Sequence, residues 1–460
     1  MRKKALLALM LALTLILSSC SLIVKDTAKD NATEIIKMGD QVITKAKVKE
    51  ETENQLQSQA YFYSMYGSSY DVTDPENIAK AQEDAITALK EDMVLTAKAK
   101  ELGFDQLTDE ENETAKTEAQ ESWDGAISYV TSSMLTDAEK EGKDEDAVKA
   151  LAEQRLADMG YSLDNYIDSE KKEITEEKLR ESVIKDVAVT DEEIQADYDS
   201  KVAADKETYS EKAGSYAQAV NNGTTVYYAP AGVRRVKQIL TKFKDEDQTA
   251  IDDAKKLVTD ANTAVTTAQA KVDAAKDTLN TEGIDDETKS AAEADLAAAD
   301  KELEEANAKL TEANKAVDDA TNKAFENIDA DTDAILAALD AGEDWTKLMD
   351  EKNQDPGMKN NEKGYAVAAD MTSFDKAFVD AAMALAKPGD HSGKVKGTSY
   401  GYYIIRYEGD EPEGAIALDE VKEKISSSLL STKQTNTYNE QINKWVEEAN
   451  IKVDLDALKD

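Results

Sequence analysis

The 460-residue chain has one histidine, His391, and one cysteine, Cys20. That scarcity removes most catalytic schemes. There is no Ser–His or Cys–His nucleophile pair, no metal-ligand cluster and no glycine loop spaced to cradle a phosphate. His391 stands in the turn Pro388-Gly389-Asp390-His391-Ser392 and is given no catalytic role. No cofactor is called for. The formal net charge of −41 argues against a nucleic-acid partner, because phosphates would repel it. So many carboxylates read first as solvated helix faces, and second as an attraction for basic, unfolded segments of other proteins. The stretch that stands out for chemistry is residues 355–406. Within it Phe374, Phe378, Ala381, Ala382 and Leu385 fall at helical spacing. Pro388-Gly389 marks a turn, and Gly401-Tyr402-Tyr403-Ile404-Ile405 reads as a short strand.

The chain begins with Arg2, Lys3 and Lys4 ahead of an apolar run over residues 5–17, the pattern of a secretory signal peptide over residues 1–19. The run ends Leu17-Ser18-Ser19-Cys20, which resembles a bacterial lipobox. The resemblance implies that the Cys20 thiol accepts diacylglycerol. A single cysteine also means no intrachain disulfide. No second stretch reaches the roughly 18 apolar residues of a membrane span. The expectation is a protein anchored by lipid to the extracytoplasmic face of a membrane, with residues 20–34 as its tether.

Next come Ile35-Ile36-Lys37-Met38 and Gln41-Val42-Ile43, which flank Gly39-Asp40 as a hairpin. Thr44 is placed to cap the helix that follows. Helical patterns then run on, with Ile86, Leu89 and Met93 on one buried face and Gly103 as a stop. Thr108-Asp109-Glu110-Glu111 and Thr190-Asp191-Glu192-Glu193 both read as capping boxes. Tyr61, Phe62, Tyr63, Met65, Tyr66 and Tyr70 form an aromatic cluster with two readings: a surface for apolar client segments, or helix packing plus a loop. Asn221-Asn222-Gly223 reads as a linker into strands at residues 225–228 and 235–240. An Ala-rich segment follows. Ile251, Ala254, Val258, Ala261, Val265, Ala268, Val272, Ala275 and Leu279 step by three and four, as do Leu296, Ala299, Leu303, Ala306, Leu310, Ala313, Val317 and Ala320. Thr281-Glu282-Gly283-Ile284-Asp285 separates the two. This predicts an antiparallel coiled-coil hairpin over residues 247–322, each arm extending about 43 Å.

The order of elements in residues 355–406 resembles the second half of a parvulin-type peptidyl-prolyl isomerase domain. That family has a Gly-rich stretch, a Met-x-x-x-Phe helix start, a turn and a "GYHII" strand. Gln238-Ile239-Leu240 resembles the "His-Ile-Leu" end of its first strand. Ala334-Ile335-Leu336, Leu339, Gly342, Trp345 and Leu348 resemble its first helix, with Trp345 standing for Phe. The N-terminal layout resembles SurA and PrsA foldase lipoproteins. These resemblances imply an α+β fold of three parts: a helical chaperone domain at residues 35–215, a parvulin-like domain at 224–410 into which the coiled coil is inserted, and a C-terminal helical segment at 413–460. They imply Gln238, Asp355 and Tyr403 as the catalytic positions, and Val367, Phe374, Phe378 and Thr398 as substrate-binding ones. The family's two inner histidines fall on Gln238 and Tyr403, so weak or lost catalysis is expected. The implied function is assistance to the folding of exported proteins, as an isomerase or as a client-holding chaperone. A structural or adhesive lipoprotein that uses its coiled coil to bind a partner is the rival reading.

Overall fold

The structure, a computed structural model, describes residues 27–359 and 361–458. The signal peptide and Cys20 lie outside the described residues. The chain is 67% helical with small sheets, which makes it α+β and mainly helical, as expected. It divides into two compact units. One takes the described residues up to Thr190 together with Ser426–Asp460; the other is Asp191–Ile425.

The first unit starts with the hairpin β1 (Glu34–Met38) and β2 (Gln41–Thr44), turned at Gly39 with φ +61°. Helices α1 (Lys45–Met65), α2 (Pro75–Glu101), α3 (Asp109–Tyr129), α4 (Glu145–Asp158) and α5 (Leu163–Ile184) follow. Thr44 occupies the N-cap of α1, but its side chain makes no cap hydrogen bond. Thr108 does form the reciprocal box with Glu111. Gly103, at φ +76°, closes α2 and lets Phe104 N–H reach back to the Ala99 carbonyl. Ile35, Ile36, Val48, Leu89 and Met93 form one core, and Trp123, Ile127, Val130 and Leu156 another. The aromatic cluster at the end of α1 is not packed away. Tyr61, Phe62, Tyr63, Met65 and Tyr66 are 41–72% exposed, and their rings touch mainly one another and Tyr70. Helix packing does not account for them.

The second unit contains α6 (Asp191–Tyr209), α7 (Ala213–Asn221), β3 (Tyr228–Ala229), β4 (Val233–Lys242), α8 (Asp245–Leu279), α9 (Asp286–Asp340), α10 (Trp345–Lys352), β5 (Tyr365–Ala368), α11 (Lys376–Ala384), β6 (Val395–Lys396), β7 (Gly401–Asp410) and β8 (Gly414–Ala415). Its main sheet is antiparallel, in the order β5-β4-β7-β6. The strand expected at residues 225–228 shrinks to Tyr228–Ala229, paired with β8. Asn221 is no linker residue. It ends α7, and its side-chain amide exchanges two hydrogen bonds with the Ala366 backbone, at 2.8 and 2.9 Å. That satisfies backbone groups of an edge strand. Helix α12 (Leu418–Glu448) begins in this unit and ends in the first, where β9 (Lys452–Val453) pairs with β1.

Both faces of the main sheet are covered. Val236, Leu240, Tyr403 and Ile405 look to one side, where Phe378, Val379 and Ala382 of α11 meet them. Ile239 and Ile404 look to the other, against Ile335, Trp345 and Leu348. The helix pair α8/α9 is the expected hairpin, with Ala254, Ala261, Ala268 and Ala275 buried at intervals of seven against Ala292, Ala299, Ala306 and Ala313. Small side chains at one position of each heptad let the two backbones approach closely. The second arm does not end where the sheet begins. Helix α9 runs unbroken for 55 residues, so Phe325, Ile328 and Ile335 continue the coiled-coil strand directly onto the sheet. Trp345 starts a separate short helix capped by Asp344.

The base of the hairpin is part of the core. Ile251 packs with Phe243, Phe325 and Tyr402, and Asn327 Nδ2 donates to both oxygens of the buried Asp247 carboxylate, at 2.9 and 3.0 Å. Removing residues 258–317 and joining the ends with a short Gly/Ser linker will leave the thermal transition of the second unit intact, since loop closure costs little. Extending the deletion to residues 247–322 removes Ile251 and Asp247 and will lower stability by about 2–5 kcal/mol. Paired calorimetric scans compare the two; a loss on the shorter deletion as large as on the longer one contradicts this division.

Candidate active site

Between Val236 and Leu240 of β4, Gln238 is the side chain that shares their face, the one covered by α11, while Lys237 and Ile239 point the other way. Gln238 is only 6% exposed. Its Nε2 donates to Asp355 Oδ2 at 2.6 Å, which fixes the orientation of the amide, because a carboxylate accepts only from the nitrogen. The amide oxygen Oε1 is buried and has no hydrogen-bond partner among the described residues. Asp355 is held by the segment after α10. Leu240 N–H donates to Asn353 Oδ1 at 2.9 Å, and the same oxygen accepts from Asp355 N–H at 3.0 Å. The backbone amide of Gly357 donates to Asp355 Oδ1 at 2.8 Å.

The sequence reading missed the third partner of Asp355. Tyr365, at the start of β5, donates its hydroxyl to Asp355 Oδ2 at 2.9 Å. The signal was Gly357: a Cβ there would lie 2.0 Å from the Tyr365 hydroxyl, so only glycine allows the ring to reach the carboxylate. Burial pushes the Tyr365 phenol well above its ordinary value, and the negative charge of Asp355 adds to the shift.

From Tyr365 a row of rings crosses the site. Tyr365 meets Phe374 edge to face at 5.3 Å, Phe374 meets Phe378 at 5.6 Å, and Phe378 meets Tyr403 at 5.2 Å. Such T-shaped pairs are favourable beyond their buried area. Phe374 and Tyr365 are half-buried and form the accessible wall, while Phe378 and Tyr403 form a buried floor. Tyr403 hydroxyl points to Asp375 Oδ2 at 3.4 Å. Asp375 also accepts from the Thr398 backbone amide at 3.0 Å and from the Thr398 hydroxyl. Thr398 therefore supports Tyr403 through Asp375, a residue the sequence reading did not single out. Gly397 is required here too, since a Cβ would lie 2.4 Å from the Tyr403 ring. Burial, then Asp375, push the Tyr403 phenol up as well.

One expected site residue, Val367, lies apart from this group, as does His391, which was given no role in it. Val367 is fully buried among Val233, Ala366 and Ala368, a core residue with no exposed surface. His391 faces the α9 end, with Nδ1 3.0 Å from the Ser392 carbonyl and Nε2 3.9 Å from Asp340 Oδ1.

The raised phenols fix a sign for the pH dependence. A tyrosine whose folded pKa lies above its unfolded value keeps its proton in the folded state while the unfolded chain loses it. Its contribution is therefore complete below pH ~10 and falls as pH rises through the folded value. Tyrosinate absorption should show Tyr365 and Tyr403 among the last to titrate, with stability declining over the same alkaline range. Asp355→Asn will lower the titration point of Tyr365 without returning it to normal, because burial is the larger cause; an unchanged titration contradicts the assigned contact.

No protein-family model matches the chain. Among curated proteins, foldase protein PrsA of Clostridium botulinum is 35% identical over 121 residues, which is 26% of this chain and 35% of that protein. Foldase protein PrsA of Clostridium tetani is 34% identical over 117 residues, covering 25% and 34% respectively. The chain thus spans about a third of the length of the curated relatives it matches. Among solved structures, foldase protein PrsA from Streptococcus pneumoniae aligns with 93% of this chain and 97% of its own at 15% identity, with a TM-score of 0.23. A SurA-like chaperone structure from Campylobacter jejuni aligns with 70% and 88% at 17% identity, with a TM-score of 0.24. Over roughly a quarter of its length, the chain is similar in sequence to the PrsA foldases.

Proposed function

We propose that this chain is an extracytoplasmic folding factor, held at a membrane by lipid on Cys20, that binds unfolded or partly folded exported proteins and offers a parvulin-type site to Xaa-Pro bonds. The observation that carries the reading is the ring row Tyr365–Phe374–Phe378–Tyr403 beside the Gln238–Asp355 pair. The similarity to PrsA foldases supports it. Among the described residues no helix is long and apolar enough to cross a membrane.

Isomerisation of an Xaa-Pro bond breaks no bond. Its barrier of about 20 kcal/mol comes from amide resonance. A protein lowers it by gripping the ring and by interactions that are stronger in the twisted amide than in the planar one. The aromatic wall supplies the grip. Gln238 and Tyr403, where the resembling family has histidines, are each tied to a carboxylate, Gln238 to Asp355 and Tyr403 to Asp375. The site is ordered without an imidazole, so peptide binding persists while the rate is low.

A second surface supports a client-holding role. The exposed rings at the end of α1 offer adaptable apolar area. Residues 50–84 carry eight carboxylates and one lysine, so the fitting occupant is an apolar segment that also carries basic residues.

A protease-coupled proline-isomerisation assay on the chain from Ser21 onward tests the site. Turnover should fall well below that of an active parvulin run alongside. Gln238→His with Tyr403→His should raise the rate more than peptide affinity. Phe374→Ala should weaken binding; Phe378→Ala is a poorer probe, because its side chain is in the core and its loss costs about 3–5 kcal/mol. Parvulin-like rates from the unmodified chain contradict the low-rate reading, and absence of any proline-peptide binding contradicts the site itself. For the anchor, Cys20→Ser should move the protein out of the membrane fraction after a high-salt wash; retention contradicts lipidation.

A further inference from the structure

The ring row ends in a carboxylate on each side. Asp355 lies at the Tyr365 end and Asp375 at the Tyr403 end, each accepting a tyrosine hydroxyl. Their other partners are all neutral. Asp355 takes Gln238 Nε2 and the Gly357 amide, and Asp375 takes the amide and hydroxyl of Thr398. Among the described residues neither forms an ion pair with a lysine or arginine. Elsewhere in this unit lysines and arginines are taken up by other carboxylates: Lys394 is bridged to Asp329 and Asp333, Arg235 to Glu411, and Lys376 to Asp380. A third acceptor lies beside Asp355: the buried amide oxygen of Gln238, which has no hydrogen-bond partner among the described residues. An apolar wall that ends in acceptors without cations fits a ligand with an apolar ring and a positive charge next to it.

Resting on the reading of the row as a proline-peptide site, we propose that it selects peptides with lysine or arginine next to the proline, with Asp355 and Asp375 as the specificity-determining residues. The neutral donors hold both carboxylates in place before a ligand arrives, so little side-chain ordering is lost on binding. A guanidinium or ammonium brings the hydrogen-bond donors that the carboxylates and Gln238 Oε1 can accept. A carboxylate at the same peptide position meets like charge and is rejected, so the selection has a repulsive half as well. Exported chains that carry basic residues near prolines are then the preferred clients of this site.

The test uses the chain from Ser21 onward, which keeps every described residue, and three fluorescent peptides that differ only in the residue before proline: Arg, Ala or Glu. At low salt the Arg peptide should bind about fivefold tighter than the Ala peptide, and the Glu peptide more weakly than either. The Arg advantage should shrink at 1 M salt, where the Debye length falls to about 3 Å. Asp375→Asn and Asp355→Asn should each reduce the Arg-to-Ala ratio, and together they should bring it close to one. Equal affinity for all three peptides overturns this proposal and leaves the proline site standing. So does an Arg preference that survives both substitutions. No binding of any of the three overturns the proline site, and this inference with it.

Discussion

The pairing of β4 with β7 is the interaction on which the second unit depends. The ladder runs from Arg234↔Asp410 to Lys242↔Gly401, and successive residues of each strand face opposite sides. Tyr402 therefore packs on Phe325 under the hairpin base, while Tyr403, one residue later, packs on Phe378 in the candidate site. Gln238 faces the same side as Tyr403, and Ile239 the opposite one. A slip of β4 by one residue would turn Gln238 toward the α9 cover and bring Ile239 into the site in its place. Close approach secures the register: a Cβ at Gly401 would lie 2.0 Å from the Thr241 carbonyl oxygen.

The same sheet carries the coiled coil. Because α9 passes without a break from the arm to the sheet, the long insertion is a continuation of a structural helix and needs no flexible joint on that side. Lys394, bridged to Asp329 and Asp333, ties the segment before β6 to this helix. The heptad of buried alanines holds the arms by close packing rather than by large side chains. Among its charges, Lys271 forms an ion pair with Glu302 across the two arms.

Much of this was legible in the residues. The period of three and four over residues 251–320 gave both arms, and Gly283 marked their turn. The capping box at Thr108, the stop at Gly103 and the strands around Gln238 and Tyr403 were local signals, and local signals read well. What was missed depends on contacts across the chain. Tyr365 and Asp375 carry no motif of their own; each acquires its role from a partner 10 or 28 residues away. Gly357 and Gly397 were the available clues, since each marks a place where a tyrosine ring lies too close for a Cβ. Val367 was misplaced because an apolar residue in a short strand reads the same whether it lines a site or fills the core. The ring cluster at Tyr61–Tyr66 was ambiguous for a related reason: helical spacing says which residues share a face but not whether anything covers it. The unbroken passage of α9 was hidden because Gly342, the first strong helix stop after the arm, lies well inside the resembling segment.

The central claim is that an Xaa-Pro peptide binds on the aromatic row of the second unit, and a crystal structure of the chain from Ser21 onward with such a peptide tests it most directly. The account predicts the proline ring against Phe374, Phe378 and Tyr403, with the adjoining residue between Asp355 and Asp375. A peptide seated instead on the exposed rings of α1, with the row empty, would contradict it.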